Sequence, residues 1–186
     1  MKNRNILIIN GSTRTNGNTD TLVNKIIEGV QDSQLVILKD KRISNCIGCM
    51  QCLEKSTCSI DDDMTEIRNA IQQSDILIFA SPLYWGGVTG LMKTFIDRLF
   101  FYYHPSNKSL ISRKKAVIVT PMNQKDVNEE AKILIAFYNC LLSCLSVKII
   151  DFHFFDGIME KGDVLNKPEY LKRAYLIGEN IIHENV

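Results

Sequence analysis

A doubly wound α/β domain, three layers deep around a five-stranded parallel sheet, is the fold class this sequence predicts. Three observations predict it. Short, β-branched apolar runs recur at 6–9, 35–38, 75–80, 115–120 and 147–150; a segment of helical period follows each; and the runs are continuously apolar rather than alternating. Strands of that kind are buried on both faces, as in a parallel sheet covered by helices. With 186 residues and 45% apolar content there is material for one sizeable core, and residues 1–186 read as a single domain.

The elements follow in order. "ILII" (6–9) is the first strand, and Leu22, Val23, Ile26, Ile27 and Val30 share one face of the helix after it. "LVIL" (35–38) is the second, followed by a helix that turns Met64, Ile67 and Ile71 inward. "DILIFA" (75–80) leads to the strongest helical stripe: Leu91, Met92, Phe95, Ile96, Leu99 and Phe100. "KAVIVT" (115–120) precedes a helix from about 127 to 145, where Cys140 and Cys144, at i and i+4, read as buried core thiols. "VKII" (147–150) is the fifth strand. Pro168 suits the first turn of the last helix, whose inner face is Leu171, Ala174, Tyr175, Gly178, Ile181 and Ile182. Five such units make either a flavodoxin-type or a minimal dinucleotide-binding domain. In both, ligands sit beyond the carboxyl ends of the strands at the switch point in strand order. Function is therefore expected in the loops after strands one, three and four.

Formal net charge is +1 with both signs interspersed, so no broad field of one sign exists for a nucleic acid or an anionic membrane. No apolar run approaches the roughly 20 residues that span a bilayer, and "MKNRN" leads into "ILIING" without a signal-peptide pattern. The expected location is the cytoplasm, where thiols stay reduced and clustered cysteines bind metal or do redox work more readily than they form disulfides.

After the first strand, "NGSTRTNGNTDTL" (10–22) lacks the G-x-G-x-x-G of a dinucleotide fold and the G-K-[ST] of a triphosphate loop. It brings the hydroxyls of Ser12, Thr13, Thr15 and Thr19, the amide of Asn18, Gly17 and the single guanidinium of Arg14 to a helix N-terminus. Free N–H groups and the helix dipole favour an anion there, and this donor set suits one terminal phosphate. A plain capped helix needs only one such hydroxyl.

"GSTRTNGNT" resembles the S-x-R-x-x-[GS]-N-[TS] loop of the NAD(P)H-dependent FMN reductase family, a flavodoxin-like family in which this loop holds the FMN phosphate. "SPLYWGGVTGLMKTFIDR" (81–98) resembles the same family's second conserved segment. The resemblance implies that Ser12, Arg14, Gly17, Asn18 and Thr19 grip the phosphate. Resemblance and position together place Pro82, Leu83, Tyr84, Trp85, Gly86 and Gly87 at the flavin ring, with backbone N–H groups freed by the glycines reaching its edge. A subunit interface also suits the two aromatics. Lys93, Asp97 and Arg98 read as structural charge pairs on the third helix or across a dimer. The loop after strand four, "TPMNQKDV" (120–127), departs from the family's Gly-rich form; Thr120 and Met122 are expected against the ribityl chain or ring edge.

Cys46, Cys49, Cys52 and Cys58 form C-x2-C-x2-C-x5-C between strand two and helix two. Structural zinc usually draws on two separated pairs, whereas thiols at successive three-residue steps are closer to ferredoxin-type ligation. The pattern resembles the iron-sulfur flavoproteins, which implies a [4Fe-4S] cluster on these four. Cluster-free FMN reductases carry a similar loop, so a plain lining of the flavin mouth is the standing alternative. The acids of "DDDM" (61–64) read as N-cap and first-turn charges of helix two. His104, His153 and His183 belong to no metal or catalytic cluster, and no G-x-S-x-G or H-E-x-x-H occurs.

The expectation is an FMN-dependent oxidoreductase, a homodimer or homotetramer, moving electrons from NAD(P)H, or from ferredoxin through the cluster, to a small-molecule acceptor. The flavin carries the chemistry, and no side-chain acid or base is required. Two alternatives stand beside it: a flavodoxin-like electron carrier without turnover of its own, and a redox-sensing module built on the thiols.

Overall fold

The computed structural model describes residues 4–30, 32–126 and 129–183. Five strands, β1 (Ile6–Asn10), β2 (Gln34–Ile37), β3 (Ile76–Ala80), β4 (Lys115–Pro121) and β5 (Lys148–Phe155), pair in parallel in the order β2-β1-β3-β4-β5. That is the flavodoxin-like order, and it separates this fold from the dinucleotide type. The order reverses at the β1/β3 pair, where Asn10 lies beside Ala80. A crevice therefore opens beyond the carboxyl ends of these strands.

Alternation along each strand builds two cores. Leu7, Ile9, Leu77, Phe79 and Ile118 face one side, where Met64, Ile67 and Ile71 of α3 (Met64–Gln73), Met92 and Phe95 of α4 (Gly90–Arg98) and Leu134 and Tyr138 of α6 (Glu129–Cys144) cover them. Ile6, Ile8, Ile76, Ile78, Val117 and Val119 face the other, under α1 (Asn18–Val30) and α7 (Pro168–His183). The helices α1 and α7 touch backbone to backbone. A Cβ on Gly29 would lie 2.2 Å from the Tyr175 carbonyl oxygen, and one on Gly178 would lie 2.3 Å from that of Ile26. Only glycine fits at this crossing. Two short helices, α2 (Gln51–Glu54) and α5 (Pro105–Lys108), sit in connections.

Several expectations need correction. The stripe through Phe100 fails at its end because α4 stops at Arg98 and tightens into a 3-10 segment over Leu99–Tyr103. Three residues per turn instead of 3.6 rotate the side chains out of phase, so Leu99 stays buried while Phe100 is 38% exposed. The helix expected to start at 127 is described from Glu129, position 127 lying outside the described residues. Cys140 and Cys144 are exposed on α6, not in the core. β5 runs five residues beyond the expected stretch, and its partly exposed residues mark a sheet edge. Among the described residues, no helix is long and apolar enough to cross a membrane.

Candidate functional site

The loop from β1 to α1 is braced at both ends. The Asn10 side-chain amide donates to Asp20 Oδ1 at 2.7 Å and accepts from the Ser12 N–H at 2.9 Å, while Asp20 Oδ2 accepts from the Gly17 N–H at 3.3 Å. Thr89, the N-cap of α4, donates its hydroxyl to the Gly11 carbonyl at 2.6 Å and accepts from the Met92 N–H at 3.2 Å. A cap of this kind contributes about 1 kcal/mol, and here it also ties the loop after β1 to the loop after β3. The left-handed turn residue is Asn16, at φ 53°, and not Gly17. Space at Gly17 is tight, since a Cβ there would stand 3.0 Å from that of Arg14.

Asn18 is committed elsewhere than at a phosphate. Its Nδ2 donates to the Glu160 carbonyl at 2.8 Å, and its Oδ1 accepts from the N–H groups of Gly162 and Val164 at 3.1 and 3.2 Å. The connection from β5 to α7 is thereby strapped over the start of α1. Arg14 Nη1 joins the same strap through the Met159 carbonyl at 2.6 Å. Asp163 accepts from the N–H groups of Met159 and Glu160 at 3.0 and 2.8 Å, and these two bonds hold its carboxyl below the usual carboxylate range.

After β3, Tyr84 and Gly87 exchange two backbone hydrogen bonds at 3.0 and 2.9 Å around Trp85 and Gly86, at φ 53° and 70°. Two successive positive φ angles make this a tight reversed turn, normally filled by Asn-Gly. A tryptophan there is strained, and it is 98% exposed, with Tyr84 at 44%. Leu83 packs into the core beneath, its N–H bonded to the Pro121 carbonyl at 3.0 Å. The expectation that the glycines free backbone donors for the ring is corrected at Gly87, whose N–H is spent on Tyr84.

These loops enclose one cavity of about 210 Å³ at the strand switch point. Ser12, Arg14, Asn18, Thr19 and Asn123 give it polar lining, and Pro82, Tyr84, Pro121, Met122, Ile158 and Met159 complete it. Of the residues expected around a cofactor, Gly17, Leu83, Trp85, Gly86, Gly87 and Thr120 stand outside this lining: Thr120 is buried in β4 and Trp85 is on the rim turn. A cavity of this size is below the roughly 300–1,000 Å³ of pockets that enclose drug-sized ligands. It suits a phosphate and a polyol tail, with a ring left on the rim.

The cysteine loop hangs from a buried ion pair. Arg98 Nη1 and Nη2 donate to Asp62 Oδ2 and Oδ1 at 2.6 and 3.1 Å, with side chains only 1% and 2% exposed. Arg98 also reaches the Ser44 carbonyl at 2.8 Å and Cys58 Sγ at 3.4 Å. Burial would raise the Asp62 pKa, but the Arg98 bonds and the N–H groups of Ser44 and Met64 outweigh it and hold the carboxyl low. Asp63 accepts from the Arg42 N–H at 2.8 Å. Asp62 and Asp63 are thus clasps of the loop as well as neighbours of α3. Of the expected charge pairs, Lys93–Asp97 forms at 2.6 Å along α4, while Arg98 turns inward to Asp62. His104 bonds Ser56 Oγ at 3.2 Å, so it braces this loop too.

Cys46, Cys49, Cys52 and Cys58 all line one void of about 30 Å³. The donor set is the one a cubane takes, and the void between the thiols is small. Among the described residues, no group of three His, Cys, Asp or Glu is placed to hold a metal ion. In this conformation the four thiols are not drawn together as the ligands of one ion. The thiols differ: the Ser59 hydroxyl, 3.0 Å from Cys49, lowers the pKa of that thiol, whereas burial and then the neighbouring thiol of Cys58 raise that of Cys52.

Residues 4–142, three-quarters of the chain, match the sequence profile of the NADPH-dependent FMN reductases. The chain belongs to the NADPH-dependent FMN reductase family. The resemblance read from its two loops is borne out. An iron-sulfur flavoprotein of Archaeoglobus fulgidus is 39% identical over 98 residues, 50% of this chain and 44% of that protein. A second protein of the same name and organism is 33% identical over 150 residues, 78% of this chain and 73% of its own length. This member of the family thus spans less than half of one such relative. In fold it is similar to an NAD(P)H:quinone oxidoreductase from Methanothermobacter marburgensis, with TM-score 0.77 and 19% identity over 98% of this chain and 96% of that one.

Within this FMN reductase family member, sequence reasoning passed over Asn10, Asp20, Thr89, Asn123, Ile158 and Met159. Thr89 carried a legible signal, a threonine two residues before the first position of a helical stripe. Ile158 and Met159 carried none, because the strap that brings them has no periodic pattern.

Proposed function

We propose that this chain is an FMN-dependent oxidoreductase that moves electrons from NAD(P)H to a small-molecule acceptor. The observation that carries the reading is a cavity at the switch point lined by the Ser12 and Thr19 hydroxyls and the Arg14 guanidinium together with Pro82, Tyr84 and Met122. Bound FMN would supply the redox chemistry. Ser12, Thr19 and the start of α1 hold its phosphate, with Arg14 supplying the positive charge. Pro82, Tyr84 and Met122 would pack against the bound flavin, and Trp85 would offer its ring a second aromatic face. Asn18 acts indirectly, by holding the strap that closes the tail end.

The same reading gives Cys46, Cys49, Cys52 and Cys58 to a [4Fe-4S] cluster, with ferredoxin as the donor to the loaded form. It is supported by four thiols around one void and by relatives named iron-sulfur flavoproteins. Exposed Trp85, Tyr103 and Ile133 favour a homodimer or homotetramer, and six free thiols favour a reducing, cytoplasmic setting.

Purified protein is titrated with FMN and assayed for NADH and NADPH oxidation with a quinone acceptor. Saturable flavin binding and turnover are expected. Failure to take up FMN would overturn the reading, and flavin reduced only by a partner protein would make the chain a carrier. Iron and acid-labile sulfide near zero in anaerobically prepared protein would remove the cluster alone.

A further inference from the structure

Cys140 and Cys144 stand one turn apart on α6, and both are exposed. The core positions of that helix are filled by Ala131, Leu134, Tyr138 and Leu142. The two cysteines instead line an apolar groove of about 620 Å³, between α6 and the segment carrying Phe100 and Tyr103, with Cys46 and Met50 of the cysteine loop also on its lining. Neither Cys140 nor Cys144 belongs to the cavity at the strand switch point or to the void inside the cysteine loop.

Helix geometry decides what such a pair can do. Side chains four apart have Cβ atoms about 5–6 Å from each other, whereas a disulfide needs about 3.5–4.5 Å. Oxidation to a disulfide would unwind the end of α6. One ion between the sulfurs makes a longer bridge, because two metal–thiolate bonds of about 2.3 Å reach across about 4.6 Å. Intact helix geometry permits that bridge. Donor count then selects the ion. Tetrahedral divalent ions take four ligands, and no third His, Cys, Asp or Glu among the described residues is placed to join the pair. Two thiolates alone satisfy a soft monovalent ion, and soft sulfur ligands select copper(I).

We propose that Cys140 and Cys144 form a two-thiolate site for a soft monovalent cation of the copper(I) class, on the wall of the groove between α6 and the Phe100–Tyr103 segment. One cation replaces two thiol protons, which pass to solvent, and no electron is transferred. The site does not depend on FMN or on a cluster.

Reduced, anaerobic protein is titrated with copper(I) against a chromophoric copper(I) chelator, with Cys140→Ser, Cys144→Ser and the double variant in parallel. The loop cysteines bind copper(I) in all four proteins, so the readout is the difference in stoichiometry. The double variant is expected to bind one equivalent fewer than the parent, and each single variant to lose that same equivalent. Both positions are exposed, so serine leaves the fold intact, as unchanged circular dichroism will verify. An unchanged stoichiometry in the double variant, or retention of the equivalent by either single variant, overturns the proposal.

Discussion

Replacing Arg98 by methionine keeps most of the side chain's bulk and removes its charge from a place almost closed to water. Asp62 is left with the N–H groups of Ser44 and Met64, at 2.9 and 3.1 Å, and no counter-charge at 2% exposure. Removing one partner of a buried pair costs about 3–5 kcal/mol, against about 0–1 kcal/mol for an exposed one. With a urea m-value of about 2 kcal/mol/M, a loss of about 4 kcal/mol lowers the unfolding midpoint by about 2 M. The sign of the pH dependence follows from the depressed Asp62 pKa. The pair stabilises the parent fully above the unfolded carboxylate pKa, about 3.9, and that contribution is lost as pH falls through the lower folded value. The gap between parent and variant is therefore expected at pH 7 and should close in acid. Urea melts of the cofactor-free protein followed by circular dichroism provide the assay. The companion R98M/D62N, which leaves no buried charge, should recover more than half of the loss. A midpoint shift under about 0.5 M at pH 7 would match a surface pair and refute the reasoning.

Three further outcomes are expected. Trp85→Asn relieves a left-handed residue at φ 53°; relief of about 1 kcal/mol raises Tm by about 2–4 °C, while loss of the aromatic face weakens FMN binding. A lowered Tm would show that the turn is not strained. Arg14→Gln removes a charged hydrogen bond of about 1.5–3 kcal/mol, weakening FMN by about 10- to 150-fold in a fluorescence titration and leaving riboflavin unchanged; equal losses would take Arg14 away from the phosphate. In the reduced, cluster-free protein near neutral pH, brief alkylation mapped by mass spectrometry should mark Cys49 before Cys52, because the Ser59 bond favours the Cys49 thiolate while burial disfavours that of Cys52. The reverse order would contradict these environments.

The layered sheet was legible because its signal is repeated: each buried strand must be apolar on both sides, and each covering helix must carry one apolar stripe. What escaped depends on phase and surroundings. The stripe on α4 gives no warning that the helix tightens at Leu99, so Phe100 looks like its buried neighbours. In α6 the apolar residues outnumber the positions the sheet can cover, and Cys140 and Cys144 fall on the uncovered side. The loop after β1 was readable by type but not by duty, since an Asn at a helix start looks the same whether it meets an anion or, like Asn18, a strap more than 140 residues away. Arg98 was misassigned for a related reason. Its partner Asp62 lies 36 positions earlier, beyond the reach of any local rule.

The strap held by Asn18 has a consequence for how the protein is made. Its carbonyl and amide contacts join position 18 to positions 160–164, so the wall over the first loop comes from a stretch made more than 140 residues after it. A growing chain can display the loop's hydroxyls early, yet this strap cannot close over them until residues 160–164 have been made. Closure of the cavity over the first loop thus waits on the synthesis and docking of that distant strap.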